Sequence, residues 1–322
     1  MTPKSLLLTV GLAFVLAAVS VPLVLGLADA KPQIQFTELY PFESNGKWGY
    51  FDRTGREIVA PRFDHADYFH GLGLVELDGM AGYINDQGEF VIKPTYTLDP
   101  NEPNDVAARP FWEGLAAVRV NGAWGYINLQ GDWQIVPKFI GEDGFDTVGD
   151  FSDGRAWFRR AVVSPESGEG YEAYGFIDAT GEVALEPKWL AVNDFGEGLA
   201  GAVHKGYWGF IDRDGEFQVR PKFDGVGVFH NGLAPAKKDG LWGYLNRRGQ
   251  WHIEPTFVQA DNFLDGVAPV QTEDGWGYLD PYGQWIIPPR FDRAFAFENG
   301  LARVVVDGEI LYIDHSGNQF FP

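Results

Sequence analysis

The sequence predicts an all-β fold, tandem three-stranded antiparallel meander repeats in an open solenoid-like array, with a closed β-propeller as the alternative. Three observations predict it. A ten-residue pattern, Gly-Lys-Trp-Gly-Tyr-Phe-Asp-Arg-Thr-Gly at 46–55, recurs with its second glycine at Gly49, Gly82, Gly125, Gly175, Gly209, Gly243 and Gly277. An eighth copy has Leu311 in that place, and the last four intervals, counted through Leu311, are each 34 residues. A fixed period of this length marks a repeat architecture, in which each unit packs on its neighbours and chain length measures unit number. Aromatic residues form 15% of the chain, so with Ile and Val the short segments can bury a core without any long helix.

The N-terminal segment, residues 1–30, is a separate object. Met1 to Lys4 is weakly basic, Leu6 to Ala28 is almost unbroken apolar sequence, and Ala28-Asp29-Ala30 fits a small-x-small cleavage pattern. The apolar run is also long enough to span a bilayer. It reads as a signal peptide or an uncleaved membrane anchor, and either places the remainder outside the inner membrane, periplasmic or extracellular. Membrane contact is expected only through this segment, if it is uncleaved.

The repeat domain, residues 31–322, holds about eight units. In each, the anchor glycine is followed at once by an aromatic residue, from Tyr50 to Tyr312, and three residues on by Asp or Asn, from Asp52 to Asp314. A second glycine comes six residues after the anchor, from Gly55 to Gly317. The Asx–x–x–Gly spacing encodes a tight turn: the Asx side chain accepts a backbone N–H, and glycine tolerates positive φ. A hairpin therefore centres on each copy. In seven copies a proline twelve residues after the anchor, Pro61 to Pro289, is expected to end the second strand of that hairpin. Gly-Leu-Ala segments, as at Gly198–Ala200 and Gly300–Ala302, supply the strand before the hairpin.

Two positions are apolar in every copy, one running from Phe51 through Ile211 to Ile313, the other from Val59 through Val219 to Phe321. Such positions make a buried face that must be shared between units, because a lone three-stranded sheet is marginal. The connectors carry an aromatic residue just before the Gly-Leu pair, from Phe69 to Phe297, and in a propeller they would supply an outer strand to each blade. The open array is preferred because no unit is split between the termini, and because Ile310-Leu311 replaces Trp-Gly as in a terminal cap.

Trp124-Gly-Tyr-Ile-Asn128, Trp208-Gly-Phe-Ile-Asp212 and Trp276-Gly-Tyr-Leu-Asp280, with the Pro-Lys-Phe and Gly-Leu-Ala elements, resemble the WG (KWG) repeat family over residues 38–322. The resemblance implies a β-rich repeat domain, often exported, with a binding or structural role and no common catalytic residue. Ala81 and Tyr174 depart from the tryptophan of the pattern.

Length variation is confined to 96–174, in three insertions: Tyr96 to Asp105, Ile140 to Asp150 and Ser164 to Gly170. Insertions in repeat proteins map to loops and often to a binding surface. The candidate binding residues are accordingly Asp99, Glu102, Asp105, Glu142, Asp143, Asp146, Glu166 and Glu169. Trp133, Trp251 and Trp285 join them, one strand position shared by three copies, either packing between repeats or facing a protein or a sugar polymer.

The net charge of −20 opposes binding to nucleic acid and favours cationic or neutral partners. Zero cysteines exclude disulfides, thiolate metal sites and cysteine nucleophiles. The acidic insertions show no D-x-D-x-D-G loop, so no metal or other cofactor is expected. Gly196–Gly201 matches G-x-G-x-x-G but runs into a strand rather than a helix. His70 and His230 occupy closely equivalent connector places, which repetition explains without a metal. The sequence therefore points to a noncatalytic exported protein-interaction or structural module. The alternatives are a polysaccharide-binding module and an envelope hydrolase, the last of which a buried carboxylate pair in one cleft would favour.

Overall fold

The computed structural model describes residues 38–97, 107–137, 147–164 and 168–321; the segment read as a signal or anchor lies outside them. The described residues form strands, turns and no helix. Eight antiparallel sheets follow one another as the blades of a β-propeller. Blade 6 shows the pattern: Gly225–Val226, Leu233–Lys238, Leu241–Asn246 and Trp251–Phe257 pair in sequence order. The connector supplies the first strand, so the unit is four-stranded rather than three-stranded. Blade 1 has three described strands, and in blade 3 the first strand is reduced to single bridges.

The Asx turns form as their spacing predicts. In blade 5, Asp212 Oδ1 accepts from the N–H groups of Asp214 and Glu216, each at 3.0 Å, and Gly215 sits at φ +80°. The anchor glycine has a different cause. Opposite it the fourth strand bulges, so that Trp242 pairs with Phe257 but Tyr244 with Ile253. A Cβ on Gly243 would lie 2.5 Å from Ile253 O and 2.7 Å from Pro255 N. The proline does not end the strand; it lies within the bulge, and the strand continues to its aromatic residue. In blade 8, Phe321 pairs with Tyr312 as Ile253 does with Tyr244, and Leu311 stands where the other blades have the anchor glycine.

The array is closed, not open. Each blade buries its apolar layer against the next, and seven apolar clusters span blades 1 to 8 in order. An eighth joins blade 8 to blade 1, through Leu301 and Tyr312 against Tyr40 and Phe51. Hydrogen bonds repeat across this junction. Tyr50, Tyr83, Tyr126, Tyr244 and Tyr278 each donate to a carbonyl of the following blade; Tyr312 donates to Pro41 O of blade 1 at 2.6 Å. In return, Tyr40 donates to Asn299 O at 2.6 Å. Closure needs no blade split between termini, because blade 1 presents to blade 8 the same kind of apolar face and acceptor that every other blade presents to its predecessor. The atypical eighth copy is a ring member and not a cap.

Replacing Gly243 with Ala should cost about 1–3 kcal/mol, since the added methyl meets the backbone of Ile253, Glu254 and Pro255 in the crossing strand. The check is a lowered urea midpoint at unchanged slope. An unchanged midpoint would show that the crossing has slack.

Candidate functional site

The first strands converge on the ring axis. The connector aromatics Phe69, Phe111, Phe151, Phe195, Phe229, Phe263 and Phe297 are all buried between blades. Strand alternation sends their sequence neighbours the other way, into the channel. Asp150, Asp194, Val228 and Asn262 precede these aromatics; His70, Trp112, Ser152, His230, Leu264 and Glu298 follow them. Eight of these ten residues, from five blades, line one cavity of about 240 Å³ on the face that carries the Asx turns. A second cavity of about 420 Å³ opens on the opposite, connector face, lined by Trp157, Tyr174, Val192, Asn193 and Val226 among others. Asp194, Val228 and Asn262 line both, so they form the waist between the two mouths.

The Asx face is held together by carboxylates at the turns between first and second strands. Glu113 accepts from Asp153 N–H and Gly154 N–H, Glu197 from Gly232 N–H, and Asp265 from Gly300 N–H, each across one blade boundary. Arg213 binds Asp153, and Arg247 donates to Glu197 O, in the same direction round the ring. These acids are thus engaged in clasping blades together.

The channel acids are different. Burial pushes Asp150 up to about 6; Arg109 opposes the shift, and Asp194 and Asp67 add to it. Burial likewise raises Asp194, against the pull of the Trp157 indole N–H, and raises Asp67. Glu298 is pushed up to about 7, burial outweighing the nearby Arg303. His70, stacked on Trp112 with centroids 4.0 Å apart, is pushed down to about 4 by burial, and burial also lowers His230. His70 Nε2 and Glu298 Oε2 lie 3.6 Å apart, too far for a hydrogen bond. The channel therefore favours neutral forms of both its acids and its histidines.

The family profile of the WG containing repeat matches residues 48–80, 82–122, 174–208, 208–242, 242–275 and 276–309. The chain belongs to the WG containing repeat family. No curated protein is significantly similar to it in sequence. Two solved structures share the fold at low identity. A eukaryotic initiation factor is 10% identical with a TM-score of 0.54, covering 87% of this chain and 84% of that one. The dihydro-heme d1 dehydrogenase NirN in complex with DHE is 12% identical with a TM-score of 0.50, covering 88% and 72%.

In this WG-repeat protein the residues singled out from the sequence fall apart into two groups. Asp99, Glu102, Asp105, Glu142, Asp143, Asp146 and Glu166 lie outside the described residues, and Glu169 is exposed at the blade 4 hairpin. Trp133, Trp251 and Trp285 stand on fourth strands at the outer rim of blades 3, 6 and 7, spread round the ring rather than brought together. Trp251 meets Phe223 of the preceding blade edge-on at 5.6 Å, and Trp285 meets Phe257 at 6.3 Å. The channel residues were not selected from sequence. The available signal was the alternation of polar residues about the connector phenylalanines, of which only the His70 and His230 equivalence was noted. Among the described residues no group of three or more His, Asp or Glu is placed to hold a metal ion.

Glu298 gives this channel a pH signature. Its carboxyl titrates near 4.5 when unfolded and near 7 when folded. Its contribution to stability is therefore complete below pH 4.5 and lost as pH rises through about 7. Glu298→Gln removes the titration, so the urea midpoint of the variant relative to wild type should be higher at pH 7.5 than at pH 5. An equal difference at the two pH values would contradict the shift.

Proposed function

We propose that this WG-repeat propeller is a noncatalytic interaction module, exported by its N-terminal apolar segment, which receives a protein partner on its connector face. One observation carries the reading. The three insertions leave the ring between Thr97 and Ala107, between Pro137 and Thr147, and between Ser164 and Gly168. The first two are blade-to-blade connections, and the third joins the second and third strands of blade 4. By the alternation of a meander, the described residues on either side of all three lie on the face that carries the 420 Å³ cavity. That face holds a depression with an aromatic pair, Trp157 and Tyr174, at 5.6 Å between centroids. Aromatic anchors in a recess, surrounded by adaptable loops, are what a protein interface uses for affinity and selectivity.

A second reading has its own observation. Asp150 and Asp194 share one cavity, and burial pushes the Asp150 carboxyl up to about 6, the direction a general acid requires. An envelope hydrolase would use that pair. Loss of polysaccharide or peptide cleavage in Asp150→Asn, from a wild type that cleaves, would favour it over the interaction module.

The interaction reading is tested by placing a photo-crosslinking amino acid at Tyr174, at Leu264 on the opposite mouth, and at Trp285 on the rim, in the native host. Tyr174 should give a discrete protein adduct, and Trp285 none. Adducts confined to Leu264 or Trp285, or none at any position, would overturn it.

A further inference from the structure

The Asx-face cavity is one-sided in its hydrogen-bonding capacity. Trp112, Phe151, Val228 and Leu264 give it apolar walls, and Asp150, Ser152, Asp194, His230 and Asn262 give it polar atoms. Few of those atoms have a donor to offer. The Ser152 hydroxyl already donates to Phe195 O at 2.7 Å. The Asn262 side-chain oxygen accepts from Val228 N–H at 2.9 Å. Oδ1 of Asp150 and Oδ1 of Asp194 are both buried, and neither has a hydrogen-bond partner. The Asp194 carboxylate has the Trp157 indole N–H as a donor, and Arg109 Nη1 stands 3.9 Å from Asp150 Oδ2, an ion pair beyond hydrogen-bonding distance. Two buried carboxylate oxygens without donors are costly, and the cost falls most when a cation bearing N–H groups arrives.

We propose that this cavity is a binding site for an alkylguanidinium or alkylammonium group, its N–H donors bridging Asp150 and Asp194 and its apolar stem lying along Trp112 and Leu264. The site is distinct from the partner face, being the opposite mouth of the channel. Several features fit this ligand chemistry. An indole face attracts a cation, while its hydrocarbon edge and Leu264 accept methylene groups. A guanidinium presents donors in a fixed fork that can reach two separate carboxylates. The net charge of −20 raises the local concentration of cations. Burial outweighs Arg109 at Asp150, whose carboxyl is pushed up to about 6. The cavity, at about 240 Å³, has room for one side chain and none for a folded segment. The cation can be a free amine or the end of a peptide side chain, and the two are separable.

The test is calorimetric titration of the full chain with n-butylguanidinium chloride, with tetramethylammonium chloride as a cation without donors and Gly-Arg-Gly amide as the peptide form. Saturable one-to-one binding of butylguanidinium is expected, at least tenfold tighter than tetramethylammonium. The near-isosteric Asp150→Asn/Asp194→Asn variant should weaken it at least tenfold while retaining cooperative melting. If that variant fails to fold, Trp112→Leu should weaken binding severalfold instead. Tighter binding of the peptide would identify a side chain as the ligand, and weaker binding a free amine; both support the site. No heat with millimolar butylguanidinium, equal binding of tetramethylammonium, or unchanged binding by whichever folded variant is used would overturn the proposal.

Discussion

Each blade carries apolar residues on both faces, and neither face can be left to water. Ile211 looks one way from its strand and Phe210 the other, and both are fully buried. A stack of such sheets always leaves two uncovered faces, one at each end. Among the described residues, blades 1 and 8 cover each other's end face. Ring closure follows from that requirement, and the cluster of Tyr40, Phe51, Leu301 and Tyr312 is its expression. The axial channel exists because the ring closes. The first strands have nowhere to project but inward, and residues that would be a harmless solvated edge in an open array become buried acids and histidines.

Much of the blade was legible in the sequence. The repeated Asx–x–x–Gly spacing specified a turn by local hydrogen bonding alone, and it is present in every blade. The apolar positions at Ile211 and Val219 specified a shared layer. The first strand was harder to see, because in blade 6 it pairs over only Gly225–Val226 and leaves little period to read. Proline was misread for a related reason: it removes a ladder donor, but within a bulge no ladder bond is required of it. The direction of the array was misread because closure was sought in covalent continuity between the termini. The actual closure is noncovalent and uses the same tyrosine-to-carbonyl contact as every other boundary.

The candidate site was legible only in part, for a physical reason. Asp150 and Asp194 are ordinary acidic residues in an acidic chain until curvature brings five blades to one axis. No local pattern separates them from Glu197 or Asp265, which clasp neighbouring blades on the Asx face. The burial that sets them apart is a property of the ring. The acidic insertions, by contrast, announce themselves through length, and the described residues that flank them lie on the connector face. The WG-repeat propeller thus has two faces of unlike chemistry, joined at a waist where Asp194 lines both cavities.

Ring closure is the claim on which the rest stands, and the absence of cysteine from the chain makes it directly measurable. Glu43 of blade 1 and Glu309 of blade 8 are both exposed and line one cavity between these blades. Spin labels on cysteines at the two positions, with the distance read by pulsed electron resonance, decide the matter. The closed ring predicts one short population, on the order of the ~10 Å between stacked sheets plus the reach of the labels. A distance near ~70 Å, seven such spacings, would mean an open array and no axial channel.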